Sequence, residues 1–343
     1  MRNQMKPLPD MQKTLVYLPG IGKISTSSGM MEKMVCSCGS FRVGQDGVKS
    51  ILATRDEKVE FIAFDKHTLA YINSSMGHPA FYPVRNVHPE YPVKYVLTDL
   101  DGTTVRSEDF WVWIIQLTVA DLLGKRNFSL QEEDLLFVSG HSVSEHLQYC
   151  ISKYCPDKSI KQARLFYFEN TQREMEKITR GEGRKDAFKP TQGLKDFLVE
   201  LKMRGIKIAL VTSGLYEKAY PELLSVFNTL KLGPPEEFYD VIITAGEHPR
   251  KGGFSTLGEL EAKPHPWLYS EAASIGLGVK KAEMGKVVGI DDSGAGICAI
   301  RLAGFSAIGF GGGNILESGT VELCDFYGNN FEKILQFILN GEK

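Results

Sequence analysis

From residue 95 onward the chain alternates short apolar runs with amphipathic stretches, and that alternation limits the possible fold more than any other feature. The runs 95–98, 207–212, 240–244, 286–290 and 306–310 are short, largely apolar and mostly rich in Val or Ile. That pattern is expected of parallel strands covered on both faces. Between or after them lie helical patterns at 193–204, 217–230, 266–275, 296–303 and 331–339. The first places Leu194, Phe197, Leu198 and Leu201 on one stripe and stops at Gly205, a suitable residue just beyond a helix end. Strand–helix repetition predicts an α/β fold with a doubly wound parallel sheet.

One interval breaks the rhythm. The chain runs from 98 to 193 before the next sheet-covering helix, whereas a crossover needs only about a dozen residues. Helical periodicity at 109–123, 142–154 and 161–179 predicts a helical subdomain inserted into a loop of the sheet. The first 92 residues read differently, with β-type runs at 14–18, 61–64 and 68–72 and turn-forming clusters at 19–20, 25–29 and 73–79. Pro79, Pro83, Pro89 and Pro92 then suit an extended linker or a strand edge. The expected organisation is a β-rich N-terminal extension (1–92), a core (93–106 with 187–343) and a helical insertion (107–186).

Composition narrows the function classes. Forty basic against 42 acidic residues give a net charge of −2, which argues against a broad basic face for nucleic acid. No apolar run approaches the ~18 residues that span a bilayer; the richest, 110–123, contains Gln116, Thr118 and Asp121. Arg2 and Lys6 are not followed by the hydrophobic block of a secretory signal. Six cysteines in 343 residues fit reduced thiols and a cytoplasmic location. Cys36 and Cys38 lack a matching pair at zinc-ribbon spacing, and Cys150, Cys155 and Cys298 read as core thiols.

The chemistry-bearing residues cluster where strands end. Asp99 and Asp101 stand two apart where the first apolar run meets Gly102. At that spacing one carboxylate can stay ionised and attack while the other carries a proton. Taken alone, Asp-x-Asp-Gly also reads as an ordinary turn. The second run ends in Thr212-Ser213-Gly214, whose hydroxyls and amides suit an oxyanion. Lys263 precedes a helical pattern opened by Pro266, a residue favoured at the first helical position, and can neutralise a phosphate and a nearby carboxylate. The run 287–290 ends in Asp291-Asp292-Ser293, hard oxygen donors of the kind Mg²⁺ takes. Four such sites in this order make coincidence a poor account.

With these motifs the stretch 95–311 resembles the haloacid dehalogenase-like hydrolase superfamily. Pro190-Thr-Gln-Gly193-Leu, Lys263-Pro-His-Pro and Asp291-Asp-Ser-Gly-Ala-Gly296 look like its phosphoglycolate phosphatase and β-phosphoglucomutase branch. The resemblance implies a Rossmann-like core whose helical insertion is a mobile cap. It implies Asp99 as the nucleophile that forms an aspartyl-phosphate and Asp101 as the acid, then base. Mg²⁺ would be held by Asp99, the Asp101 carbonyl and Asp292, with Asp291 assisting; Thr212 and Ser213 would hold the phosphoryl oxygens and Lys263 would balance charge. Asp101 disfavours dehalogenase and phosphonate chemistry. A small phosphorylated metabolite is the expected partner, with hydrolysis expected and a sugar phosphomutase as the alternative. A third reading is a regulatory protein whose N-terminal segment carries the main role.

Several neighbours are expected to be passive. His141 and His146 read as surface groups near a helix start where Ser142 or Ser144 could cap, and His265 as a surface residue. The run Arg173, Lys177, Arg180, Arg184, Lys185 reads as a solvated face, with contact to a substrate's second anionic group as the alternative. Phe110, Trp111 and Trp113 read as packing between insertion and core.

Overall fold

The computed structural model describes residues 15–25, 29–72, 79–136, 143–184, 187–245 and 261–340. The expectations for Thr14, His141, Ser142, Lys185 and the turn clusters around 26–28 and 73–78 lie outside these residues.

The predicted parallel sheet is present. Its six strands run in the order Val241–Ile243, Lys207–Val211, Tyr95–Asp99, Val287–Asp291, Ser306–Phe310 and Phe326–Gly328. Alternation along each strand separates two cores. Val96, Ile208, Leu210, Ile290 and Ile308 face one, while Leu97, Ala209, Val211, Val287 and Ala307 face the other. The sixth strand was not predicted: three residues carry too little periodicity to distinguish it from a loop.

Helices cover both faces, among them Leu194–Met203, Tyr216–Leu230, Gly294–Ala303 and Phe331–Asn340. Gly205, with φ of +70°, returns its N–H to the Lys202 carbonyl at 2.9 Å, as expected of a residue beyond the helix end. Pro266 sits at the cap position of Trp267–Glu271 instead of inside the helix.

Between the antiparallel pair Val105–Arg106 and Lys189–Pro190 lie the insertion's helices, Glu108–Leu123, Val143–Tyr154 and Ile160–Thr179. Phe110, Ile114, Val119, Leu147, Cys150, Ile151 and Tyr167 form their shared interior. Cys150, Cys155 and Cys298 are buried, as expected of core thiols, and all six cysteines are unbridged.

The N-terminal extension is a five-stranded antiparallel sheet, Met31–Lys33, Ser50–Ala53, Val59–Ala63, Thr68–Ile72 and Ala80–Pro83, preceded by the hairpin Leu15–Leu18/Gly22–Ser25. It is not peripheral. Leu52, Val59, Phe61, Ala63, Ala70 and Ile72 share one hydrophobic cluster with Leu97, Ile297 and Ala299 of the parallel-sheet core. Buried Arg301 ties the two further, donating to the Val87 carbonyl at 3.0 Å. Among the described residues no helix is long and apolar enough to cross a membrane.

Candidate active site

Register places the site. Val211 pairs with Asp99, and Ile290 with Thr98, so three neighbouring strands end together. Their carboxyl ends present Thr212, Asp99 and Asp291 side by side, where open α/β sheets bind ligands. The backbone then turns at Gly102, whose φ is +80°. A Cβ there would lie 2.0 Å from Asp292 Oδ2, so glycine permits both the turn and the approach of that carboxylate.

Asp99, Asp291 and Asp292 are buried and bring one oxygen each within 4.8 Å of one another. Lys263 reaches into this group. Its side chain is 6% exposed, its Nζ bonds to Asp99, and it lies 2.7 Å from Asp291 Oδ2 and 3.3 Å from the Val211 carbonyl. Asp291 is further held by Tyr269 Oη at 2.7 Å and by the Ser293 amide and hydroxyl at 2.9 and 2.8 Å. A Cβ on Gly296 would fall on the Asp291 carboxylate, which is why the helix after it begins with small residues. Asp292 takes no hydrogen bond or ion pair from any described residue.

Three buried carboxylates against one ammonium leave uncompensated negative charge. Burial pushes Asp99 up to about 8, with Lys263 opposing and Asp291 and Asp101 adding to the rise. Asp292 is driven well above the carboxylate range by burial and then by Asp99 and Asp291. Burial alone would lower Lys263, but the Asp291 and Asp99 charges hold it above its ordinary value. A hard divalent cation fits this oxygen set and the charge deficit.

Asp101 stands apart from that group. It accepts from Ser107 Oγ at 2.8 Å and faces Lys218 Nζ at 3.3 Å. Burial raises its pKa, yet Lys218 and Ser107 together hold it below the ordinary value. Lys218 also lies 4.4 Å from the Trp111 ring centroid and 3.9 Å from fully buried Glu222. Burial and then the Asp101 charge raise Glu222 well above the usual carboxylate range.

A cavity of about 500 Å³ opens onto these groups. The core lines it with Asp101, Asp292, Ser293 and Lys218, and the insertion with Trp111, Ile115, His146 and Tyr167. Thr212 is buried beside Asp99's strand end and its Oγ1 accepts from the Gly214 amide at 2.9 Å. Ser213 is exposed, and its hydroxyl accepts the Lys263 amide at 3.1 Å.

The structure brings all seven sequence-derived residues to one end of the sheet, and corrects three neighbours. His265 is 2% exposed and hydrogen-bonded, because its ring turns inward against Tyr82. His146 is also buried and lines the cavity. Trp111 contributes to the cavity wall as well as to packing, whereas Phe110 is interior and Trp113 stacks with Arg184. Arg173 and Lys177 pair with Glu174, and Arg180 with Glu176, which matches a solvated face. Sequence reasoning missed Lys218, Glu222, Ser107 and Tyr269. The i, i+4 pairing of Lys218 with Glu222 was a visible signal, but an exposed helical ion pair has the same spacing.

A family model for haloacid dehalogenase-like hydrolases matches residues 93–304. The chain belongs to that hydrolase family. Among solved structures, a predicted phosphoglycolate phosphatase from Haemophilus somnus is 20% identical with a TM-score of 0.54, covering 72% of this chain and 98% of its own. CbbY from Rhodobacter sphaeroides, solved with phosphate, is 22% identical with a TM-score of 0.50, covering 71% and 96%. A β-phosphoglucomutase from Clostridium difficile is 19% identical with a TM-score of 0.50, covering 73% and 98%. These likenesses establish the shared fold. No protein of curated function matches the sequence.

Proposed function

We propose that the chain is a Mg²⁺-dependent phosphomonoester hydrolase acting on a small phosphorylated metabolite, with the helical insertion as its cap. The observation that carries this reading is the convergence of Asp99, Lys263 and Asp292 at one end of the sheet, beside Asp101 and under a cavity of metabolite size. Asp99, Asp292 and the Asp101 carbonyl would hold the cation. Asp291, with both oxygens already accepting hydrogen bonds, serves better as an orienting group than as a direct ligand. When bound, the cation supplies charge neutralisation that lets a carboxylate approach a phosphate dianion.

Asp99 attacks phosphorus, the bond to the leaving alcohol breaks, and an aspartyl-phosphate forms on Oδ. Lys263 offsets the charge shared by Asp99 and the phosphoryl oxygens, while the Thr212 hydroxyl and the Ser213 amide donate to those oxygens. Asp101 protonates the leaving oxygen and then takes a proton from the attacking water. The Lys218 contact favours the ionised form that the second step uses; the first step requires that ion pair to open. Cap helices exclude bulk water from the cavity during this sequence.

Phosphate release from a panel of sugar and alcohol phosphates tests the reading. Turnover that EDTA abolishes and Mg²⁺ restores is the expected result. Isomer formation without net phosphate release would identify a mutase, and no reaction with any ester would contradict both.

A further inference from the structure

We propose that Tyr82 of the N-terminal sheet positions Lys263 by clamping the turn that carries it, an inference that rests on the catalytic role of Lys263 given above. Tyr82 lies on Ala80–Pro83, the edge strand of the five-stranded sheet, paired with Ala70. Strand alternation sends its neighbour Phe81 to the far face, against Phe41 and Tyr71. Tyr82 faces the catalytic core and meets His265 edge-on.

Its hydroxyl touches the lysine turn twice. Trp267 Nε1 lies 3.0 Å from Tyr82 Oη, and His265 Nδ1 lies 2.8 Å from it. An indole N–H only donates, so the phenolic oxygen accepts from Trp267. When His265 carries its proton on Nε2, the phenolic proton goes to Nδ1. The imidazole Nε2 lies 4.0 Å from the Glu261 carboxylate. His265 and Trp267 follow Lys263 closely in sequence, so one hydroxyl holds the segment just after the lysine at two points. On the opposite side the Lys263 amide is held by Ser213.

The clamp matters because Lys263 has little positional freedom to spare. Its Nζ must serve Asp99, Asp291 and the Val211 carbonyl together. A displacement of roughly 1 Å at such a group is enough to cost a large factor in rate. Packing alone does not call for the hydroxyl; a phenylalanine ring would fill the same space. The sheet thereby gains a role in the reaction although none of its described residues lines the cavity.

Rates of p-nitrophenyl phosphate hydrolysis with Mg²⁺, measured on the full chain, test this. Tyr82→Phe is expected to lower kcat about tenfold while KM changes less than about twofold. In a Lys263→Ala background the same substitution is expected to change the residual rate by less than about twofold, because its effect passes through the lysine. Phe81→Ala, on the same strand but facing away, is expected to lower Tm while kcat per folded molecule stays constant. Unchanged kcat in Tyr82→Phe would overturn the proposal, and so would equal losses in both backgrounds. The kcat–KM split of Tyr82→Phe alone decides the matter if the Lys263 variant does not fold. Equal rates for the unaltered chain and Asp99→Asn would overturn the catalytic reading itself. A dead Asp99→Asn with an unaffected Tyr82→Phe would overturn this inference alone.

Discussion

Asp99 and Asp101 are chemically similar residues in opposite electrostatic settings. Asp99 sits in a buried acidic group where one lysine serves two carboxylates, and its pKa is raised. Asp101 faces Lys218 and Ser107, and despite burial its pKa is lowered. Both directions run against the assigned roles of ionised nucleophile and protonated acid; a cation beside Asp99 and opening of the Lys218 pair would reverse them. Where hydrolysis of the aspartyl-phosphate limits kcat, Asp101 must be ionised, and Lys218 then sets the acid limb of the pH–rate profile. Because its positive charge lowers the Asp101 pKa, Lys218→Met is expected to move that limb to higher pH. A kcat–pH profile of the variant that overlays the original would show that Lys218 does not govern Asp101. The motif aspartates and Lys263 were legible in the sequence because strand ends and turn residues mark them. Lys218 and Tyr82 were not, since each reaches its partner across more than a hundred residues.

At the scale of elements, the insertion has its own electrostatic fastening. Asp134, on the short turn Glu132–Leu136, accepts from Tyr149 Oη at 2.8 Å, Lys153 Nζ at 2.7 Å and Tyr154 Oη, binding that turn to Val143–Tyr154. Burial opposes ionisation here, but Lys153 and the tyrosine hydroxyls outweigh it and hold Asp134 well below the usual range. A lowered folded pKa gives stability that is present above the unfolded value, about 3.9, and is lost as pH falls below it. Asp134→Asn is expected to lower Tm by several degrees at pH 7, and the gap should narrow below about pH 4. A gap independent of pH would contradict the assignment. The N-terminal sheet is fastened by packing instead. Phe61 is 1% exposed inside the cluster that joins the two sheets. Phe61→Ala is expected to cost about 3–5 kcal/mol, measured by urea unfolding; a loss below ~1 kcal/mol would mean the sheet packs loosely.

The molecule as a whole joins two sheets that the sequence displays as separate pieces. Five of six parallel strands were readable because both of their faces are apolar and helices separate them. The N-terminal strands were partly readable, as 61–64 and 68–72, but their docking was not. A strand's alternation tells which residues share a face and says nothing about what that face meets. Leu52, Phe61 and Ile72 meet Leu97 and Ile297 only in three dimensions. The sheet is thus part of the same hydrophobic interior that holds the strand ends in register. Deleting residues 1–92 is expected to abolish soluble expression of the remainder, and a well-folded, fully active 93–343 fragment would contradict that integration. The central claim concerns Asp99, and its most direct measurement is the Mg²⁺-dependent rate of aryl phosphate hydrolysis by Asp99→Asn. An aspartyl-phosphate mechanism predicts a loss of at least about a thousandfold with the fold intact. A rate equal to that of the unaltered chain would contradict it.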